Sequence, residues 1–101
     1  MTSHIPQLTP AQAADHAEAV VLDVREADEL PDGRIAGSIH IPLGQLSARV
    51  VELDRARPVI TVCRSGGRSS QAAQFLAGQG FDVANLDGGM TQWMAEGRPT
   101  V

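Results

Sequence analysis

This chain of 101 residues contains one cysteine, Cys63, and no lysine; all eight of its basic residues are arginine. A single cysteine excludes an intramolecular disulfide framework and a cysteine-rich metal site. It also means that anything loaded onto Cys63 must be unloaded by an acceptor from outside the chain. The missing lysine decides nothing about function. No stretch approaches the roughly 18 consecutive apolar residues of a membrane span, so no membrane partner is expected. Residues 1–7 lack a basic segment followed by an apolar one, so export is not expected and the chain is read as cytoplasmic. Repeats, low-complexity tracts and linkers are missing as well, which leaves residues 1–101 as one expected domain.

What is present is ordinary for a folded soluble chain: 43% apolar and 20% charged residues. The net charge of −4 argues against nucleic acid as a partner, because binding phosphate backbones requires a basic face. A monomer is expected, since no segment is dedicated to self-association.

Residues 11–17 read as a helix, with Thr9 as N-cap and Pro10 in the first turn. Residues 20–22 are a short continuous apolar run, as expected of a strand buried on both faces, and the β-branched run 59–62 is a second strong strand. Residues 38–41 and 83–86 complete a set of four strands. Residues 26–30 read as a helical turn stopped near Pro31 and Gly33, and the acidic run 26–32 as a solvated face. Helices are expected over residues 43–53, with Leu46, Val50 and Leu53 on one face, over 69–77, and over 90–96, where Trp93 and Met90 face the core. Strands alternating with helices imply parallel β–α units and a sheet covered on both faces. Sites in such folds gather beyond the carboxyl ends of strands, and Asp23, Arg25 and Cys63 all lie there.

Cys63 ends a β-branched run and opens Cys63-Arg64-Ser65-Gly66-Gly67-Arg68-Ser69, which leads into a helix. A tight turn followed by a helix start gathers backbone N–H groups into an electropositive cradle, which favours a thiolate. Arg64 and Arg68 are expected to lower the thiol pKa and attract an anion, or, for Arg68, to brace the loop. The Ser65 and Ser69 hydroxyls are candidates for hydrogen bonds to the sulfur, with helix capping an equal alternative for Ser69. Gly66 and Gly67 are expected to supply backbone angles and a closeness that a Cβ would obstruct. Asp23 and Arg25 read as an ion pair or loop brace rather than as substrate contacts. His4, His16 and His40 do not form a metal-binding spacing.

Four motifs in order resemble the rhodanese homology domain. They are Leu22-Asp23-Val24-Arg25-Glu26, the segment from Gly33 to Pro42, the Cys63 loop, and Leu86-Asp87-Gly88-Gly89-Met90 with Trp93. The resemblance runs from about Ile5 to Pro99. It departs from the family pattern at Arg34, where the family often has histidine, and at Leu30-Pro31, where an aromatic residue is common. It implies a three-layer α/β/α fold around a five-stranded parallel sheet, with Cys63 as nucleophile and no metal or organic cofactor. It further implies transfer of a sulfane sulfur from thiosulfate or a persulfide, through a Cys63 persulfide, to an external thiol or cyanide. The related cell-cycle dual-specificity phosphatases carry Cys-x5-Arg, whereas Arg68 here completes Cys-x4-Arg. A loop one residue shorter rotates its later N–H groups away from the oxygens of a phosphoryl group, which favours sulfur. The alternatives are a persulfide carrier or redox interaction module serving a partner protein, and a cysteine-dependent phosphatase or arsenate reductase.

Overall fold

The computed structural model describes residues 4–101. Five parallel strands form one sheet: β1 (Gln7–Leu8), β2 (Val20–Asp23), β3 (Ile39–His40), β4 (Val59–Val62) and β5 (Val83–Leu86). Their order is β1-β5-β4-β2-β3, so β4 lies at the centre with β5 and β2 on either side and the two-residue strands at the edges. β4 pairs with β2 through Val59↔Val20 to Val62↔Asp23, and with β5 through Val59↔Val83 to Thr61↔Asn85. All four β4 residues are buried, which accounts for a β-branched run without the exposed polar positions of a half-exposed strand.

Helices cover both faces, as parallel connections require. One face packs Val20, Leu22, Val24 and Val59 against Leu46 of α2 (Leu46–Arg49) and Ala72, Ala73 and Leu76 of α3 (Gly67–Gly78). The other packs Ile60, Val62 and Leu86 against Met90 and Trp93 of α4 (Gly89–Ala95), with Ala13 of α1 (Pro10–Ala14) at its margin. Leu22, Leu76 and Leu86 are fully excluded from solvent, and truncating one such leucine to alanine costs on the order of 2–5 kcal/mol. Trp93 is buried and donates its indole N–H to the Pro99 carbonyl at 2.9 Å, which fixes it as a core residue.

Several elements differ from the sequence reading. β1 was not among the four strands expected from the residues; it is a two-residue edge strand, Gln7–Leu8, too short to show a periodicity. α1 stops at Ala14, because the turn closes there: the Asp15 N–H donates to the Gln12 carbonyl and the His16 N–H to the Ala13 carbonyl. Its start is as expected: the Thr9 hydroxyl accepts from the Gln12 N–H while Gln12 Oε1 accepts from the Thr9 N–H. Residues 43–53 are not one helix. A tight turn at Leu43–Gln45, the four residues of α2, and a second tight turn at Val50–Glu52 follow one another. Leu46 and Leu53 are nonetheless buried on one side, as expected. The 26–30 turn is a 3-10 segment, Ala27–Asp32, that runs through Pro31 and ends at Gly33.

Candidate active site

Cys63 follows β4 directly at the carboxyl edge of the central strand and is 1% exposed. α3 starts at Gly67, two residues before the expected Ser69, with Gly66 as its N-cap. The loop is therefore very short, and the chain turns from strand to helix around the sulfur. Gly66 makes that turn at φ +113°, a conformation that strains any residue with a Cβ. Gly67 has no such role: its φ is not positive, and an added Cβ would meet nothing within 4 Å. The expectation that both glycines are needed is thus corrected for Gly67.

The Gly66 N–H donates to Cys63 Sγ at 3.0 Å, and the Ser69 hydroxyl donates to it at 3.2 Å. Ser69 is buried within the first turn of α3, so of its two expected roles the bond to sulfur is the one present and the cap is not. Burial pushes the thiol pKa up, but the Ser69 hydroxyl and the N–H groups of Ser69, Gly66 and Ser65 outweigh it. The net result is a thiol below its ordinary value, held there by hydrogen-bond donors.

The two arginines separate. Arg68 donates from Nη1 and Nη2 to the two carboxylate oxygens of Glu29, at 2.6 and 2.9 Å. This forked pair makes Arg68 a brace between α3 and the Ala27–Asp32 segment. The reading of residues 26–32 as a wholly solvated face is corrected at Glu29, whose side chain is 20% exposed and engaged by Arg68. Arg64 is exposed, and among the described residues it has no carboxylate partner. It borders a small pocket of about 90 Å³ shared with Arg25, Asp32, Thr91 and Met94. Ser65 is also exposed; its N–H helps to lower the thiol, while the hydrogen bonds to the sulfur come from Gly66 and Ser69 and not from the Ser65 hydroxyl.

Asp23 and Arg25 form a buried ion pair, at 1% and 2% exposure. Arg25 donates from Nη2 to Asp23 Oδ2 at 2.7 Å and from Nε to both carboxylate oxygens, at 3.0 and 3.1 Å. Its remaining donors reach the carbonyls of Glu29 at 3.3 Å and Gly33 at 2.9 Å. His40 Nε2 donates to the Arg25 carbonyl at 2.7 Å. The pair is the loop brace anticipated from sequence, and it holds the segment that presents Glu29 to Arg68. Among the described residues, no group of His, Cys, Asp and Glu side chains is arranged to hold a metal.

Two contributors were not read from the sequence as parts of the site. One is Glu29, 39 residues from Arg68. The other is Gly89, where α4 meets the loop. The Met90 and Thr91 N–H groups donate to the carbonyls of Cys63 and Arg64, both at 2.9 Å. A Cβ on Gly89 would stand 2.4 Å from the Cys63 carbonyl oxygen and 2.6 Å from that of Arg64. The Gly88-Gly89 pair signalled a turn, but not this contact.

The Glu29–Arg68 pair has a pH signature. Arg68 is the main cause that takes the Glu29 carboxyl from its ordinary 4.5 to about 2. A depressed acid stabilises the fold fully above its unfolded pKa and loses that contribution as pH falls through its folded pKa. Thermal midpoints of wild type and Glu29→Gln should therefore differ most above pH 4.5 and converge as pH falls toward 2. Parallel curves across that window would mean that the pair contributes nothing.

Residues 9–96 match the model of the rhodanese-like domain. The chain belongs to this family. It is 37% identical to thiosulfate sulfurtransferase GlpE of Pseudomonas savastanoi pv. phaseolicola, over 84% of this chain and 81% of that protein. It is 36% identical to a sulfurtransferase of Allochromatium vinosum, over 87% of this chain and 83% of that one. The crystal structure of a rhodanese-related protein from Thermoplasma volcanium superposes with a TM-score of 0.92 at 35% identity, covering 95% of this chain and 97% of that one. The rhodanese membership and these relatives support sulfur transfer as the class of chemistry at the level of the family. No described helix of this rhodanese-like chain is long and apolar enough to cross a membrane.

Proposed function

We propose that the protein is a sulfurtransferase that carries a sulfane sulfur as a persulfide on Cys63, with thiosulfate or a similar small anion as donor. The observation that carries this reading is the placement of Cys63 Sγ at the end of β4, beneath the Gly66 N–H at 3.0 Å and the Ser69 hydroxyl at 3.2 Å. Those donors stabilise an anionic sulfur both before and after loading, because a persulfide terminus is itself an anion.

In the first displacement, the Cys63 thiolate attacks the outer sulfur of thiosulfate. A new S–S bond forms, the original S–S bond breaks, and sulfite leaves with the electron pair. In the second, an acceptor thiolate or cyanide attacks the outer sulfur and Cys63 departs as thiolate. The donor product leaves before the acceptor enters, so steady-state kinetics should be ping-pong. No proton transfer to a histidine is required. His40 is engaged with the Arg25 carbonyl and His16 with Glu18.

Arg68 supports sulfur rather than phosphate as the group transferred. Phosphoryl transfer from a cysteine loop calls for a guanidinium over the equatorial oxygens, whereas Arg68 is bound by both its terminal nitrogens to Glu29. Arg64 is the cation available to meet an incoming dianion. Arg64→Ala should raise the KM for thiosulfate about fivefold with little change in kcat, the effect of removing one solvated charge from donor binding. Turnover of thiosulfate and cyanide by the two proteins tests this, and an unchanged KM would exclude Arg64 from the donor site. Turnover with cyanide no faster than that of a free thiol would instead favour a persulfide carrier, with a partner protein as acceptor.

A further inference from the structure

The first turn of α3 rests on a buried polar side chain that the mechanism above does not use. Asn85 lies on β5, is 2% exposed, and sits in register with Thr61 of β4 and Gln7 of β1. Alternation along the strand puts it on the same face as Val83, which packs on the side of α3. Its amide nitrogen donates to Gln7 Oε1 at 2.9 Å and to Ser70 Oγ at 3.1 Å, with the Gly66 carbonyl at 3.5 Å. Its oxygen accepts from Thr61 Oγ1 at 3.2 Å.

An amide in this place needs a reason. Val59 and Val83 on that face are apolar, but a leucine of similar volume would leave Gln7, Thr61 and Ser70 without the partner the amide gives them. What the amide adds is direction. It ties two strands of the sheet to the N-cap of α3, Gly66, and to Ser70 in its first turn, and these are themselves joined by the Ser70 N–H to Gly66 carbonyl bond of 3.0 Å. Gly66 is the residue whose N–H meets the sulfur. At φ +113° it has more backbone freedom than any other residue type would, so its peptide orientation depends on what holds it.

We propose that Asn85 is a positioning residue for this site: its amide holds Gly66 and Ser70 against the sheet so that the Gly66 N–H stays aimed at Cys63 Sγ. The proposal rests on Cys63 being the reactive group. The charged groups near this site are Arg64 and Arg68 of the loop, Glu26 and Glu29, which act on Arg68, and the Asp23–Arg25 pair that braces the 3-10 segment. α4 adds none, its residues 89–95 being uncharged. A change at Asn85 leaves all of these in place, so its effect on the thiol reports the hydrogen-bond donors.

The test is the pH profile of Cys63 alkylation by iodoacetamide, which needs a thiolate but no sulfur transfer and so stands or falls separately from the proposed activity. In Asn85→Leu the midpoint should rise by at least about half a pH unit, roughly a threefold loss of thiolate at a fixed pH below it. Ser70→Ala, which removes the hydroxyl that Asn85 holds and suits a helix, should shift it the same way by less. Ser70→Ala alone decides the matter if Asn85→Leu does not fold. A lower thermal midpoint with an unmoved alkylation profile would show that Asn85 is only a packing residue, and would overturn the proposal.

Discussion

Cys63→Ser should fold as the wild type does and transfer no sulfur. The fold survives because a serine oxygen accepts hydrogen bonds from the Gly66 N–H and the Ser69 hydroxyl much as the sulfur does, so no buried donor is left unpaired. The chemistry does not survive. A hydroxyl is not ionised near neutral pH, and the donors that suffice to lower a thiol below its ordinary value leave an alcohol far above the working range. The expected loss is at least about a thousandfold, because the nucleophile is removed and no second cysteine exists to replace it. Thiosulfate-to-cyanide turnover with circular dichroism on the same sample measures both halves. Activity well above background in a folded Cys63→Ser protein would mean that sulfur passes directly from donor to acceptor.

Gly89→Ala should be the most damaging single-methyl change near the site. Two independent costs meet there. The backbone stands at φ +56°, where alanine is strained, and the new methyl would lie 2.4 Å from the Cys63 carbonyl oxygen. That oxygen is not free to move, because it accepts the Met90 N–H at the start of α4 and belongs to the residue that presents the thiol. Relief therefore requires α4 to back away, taking Met90 and Trp93 out of the core on that face of the sheet. Strain and overpacking together are worth on the order of 3 kcal/mol. For a domain of this size that lowers the thermal midpoint by about 10–20 °C. Gly67→Ala is the fitting comparison, since its methyl meets nothing and alanine suits the first turn of a helix. Its midpoint should equal or exceed that of wild type. Equal midpoints for Gly67→Ala and Gly89→Ala would refute the close approach of α4 to the loop.

The parts of this molecule that were legible in the sequence are those whose cause is local. The run Val59 to Val62 does not alternate with exposed polar residues because both faces of β4 are covered. Thr9 and Pro10 mark a helix start because a cap bonds to a residue only three further along. Cys63 with its glycine turn was legible for the same reason. The remainder depends on partners brought together by folding. Glu29 read as one more charge in an acidic run, since Arg68 lies 39 residues away and nothing in the chain announces the pair. Asn85 read as a residue in a strand, because its neighbours Gln7 and Ser70 are 78 and 15 residues distant. β1 is two residues at a sheet edge, below the length at which a pattern exists. Residues 43–53 show a third kind of limit: the buried face was evident from Leu46 and Leu53, but the tight winding at both ends of α2 was not.

Covalent loading of Cys63 is the point on which the proposed activity turns, and intact mass spectrometry reads it directly. Protein mixed with thiosulfate and freed of excess donor should be heavier by one sulfur atom, and cyanide or a thiol should return it to its starting mass. Cys63→Ser treated identically should not change. A wild-type mass that never moves, or a gain that persists in Cys63→Ser, would contradict a persulfide on Cys63.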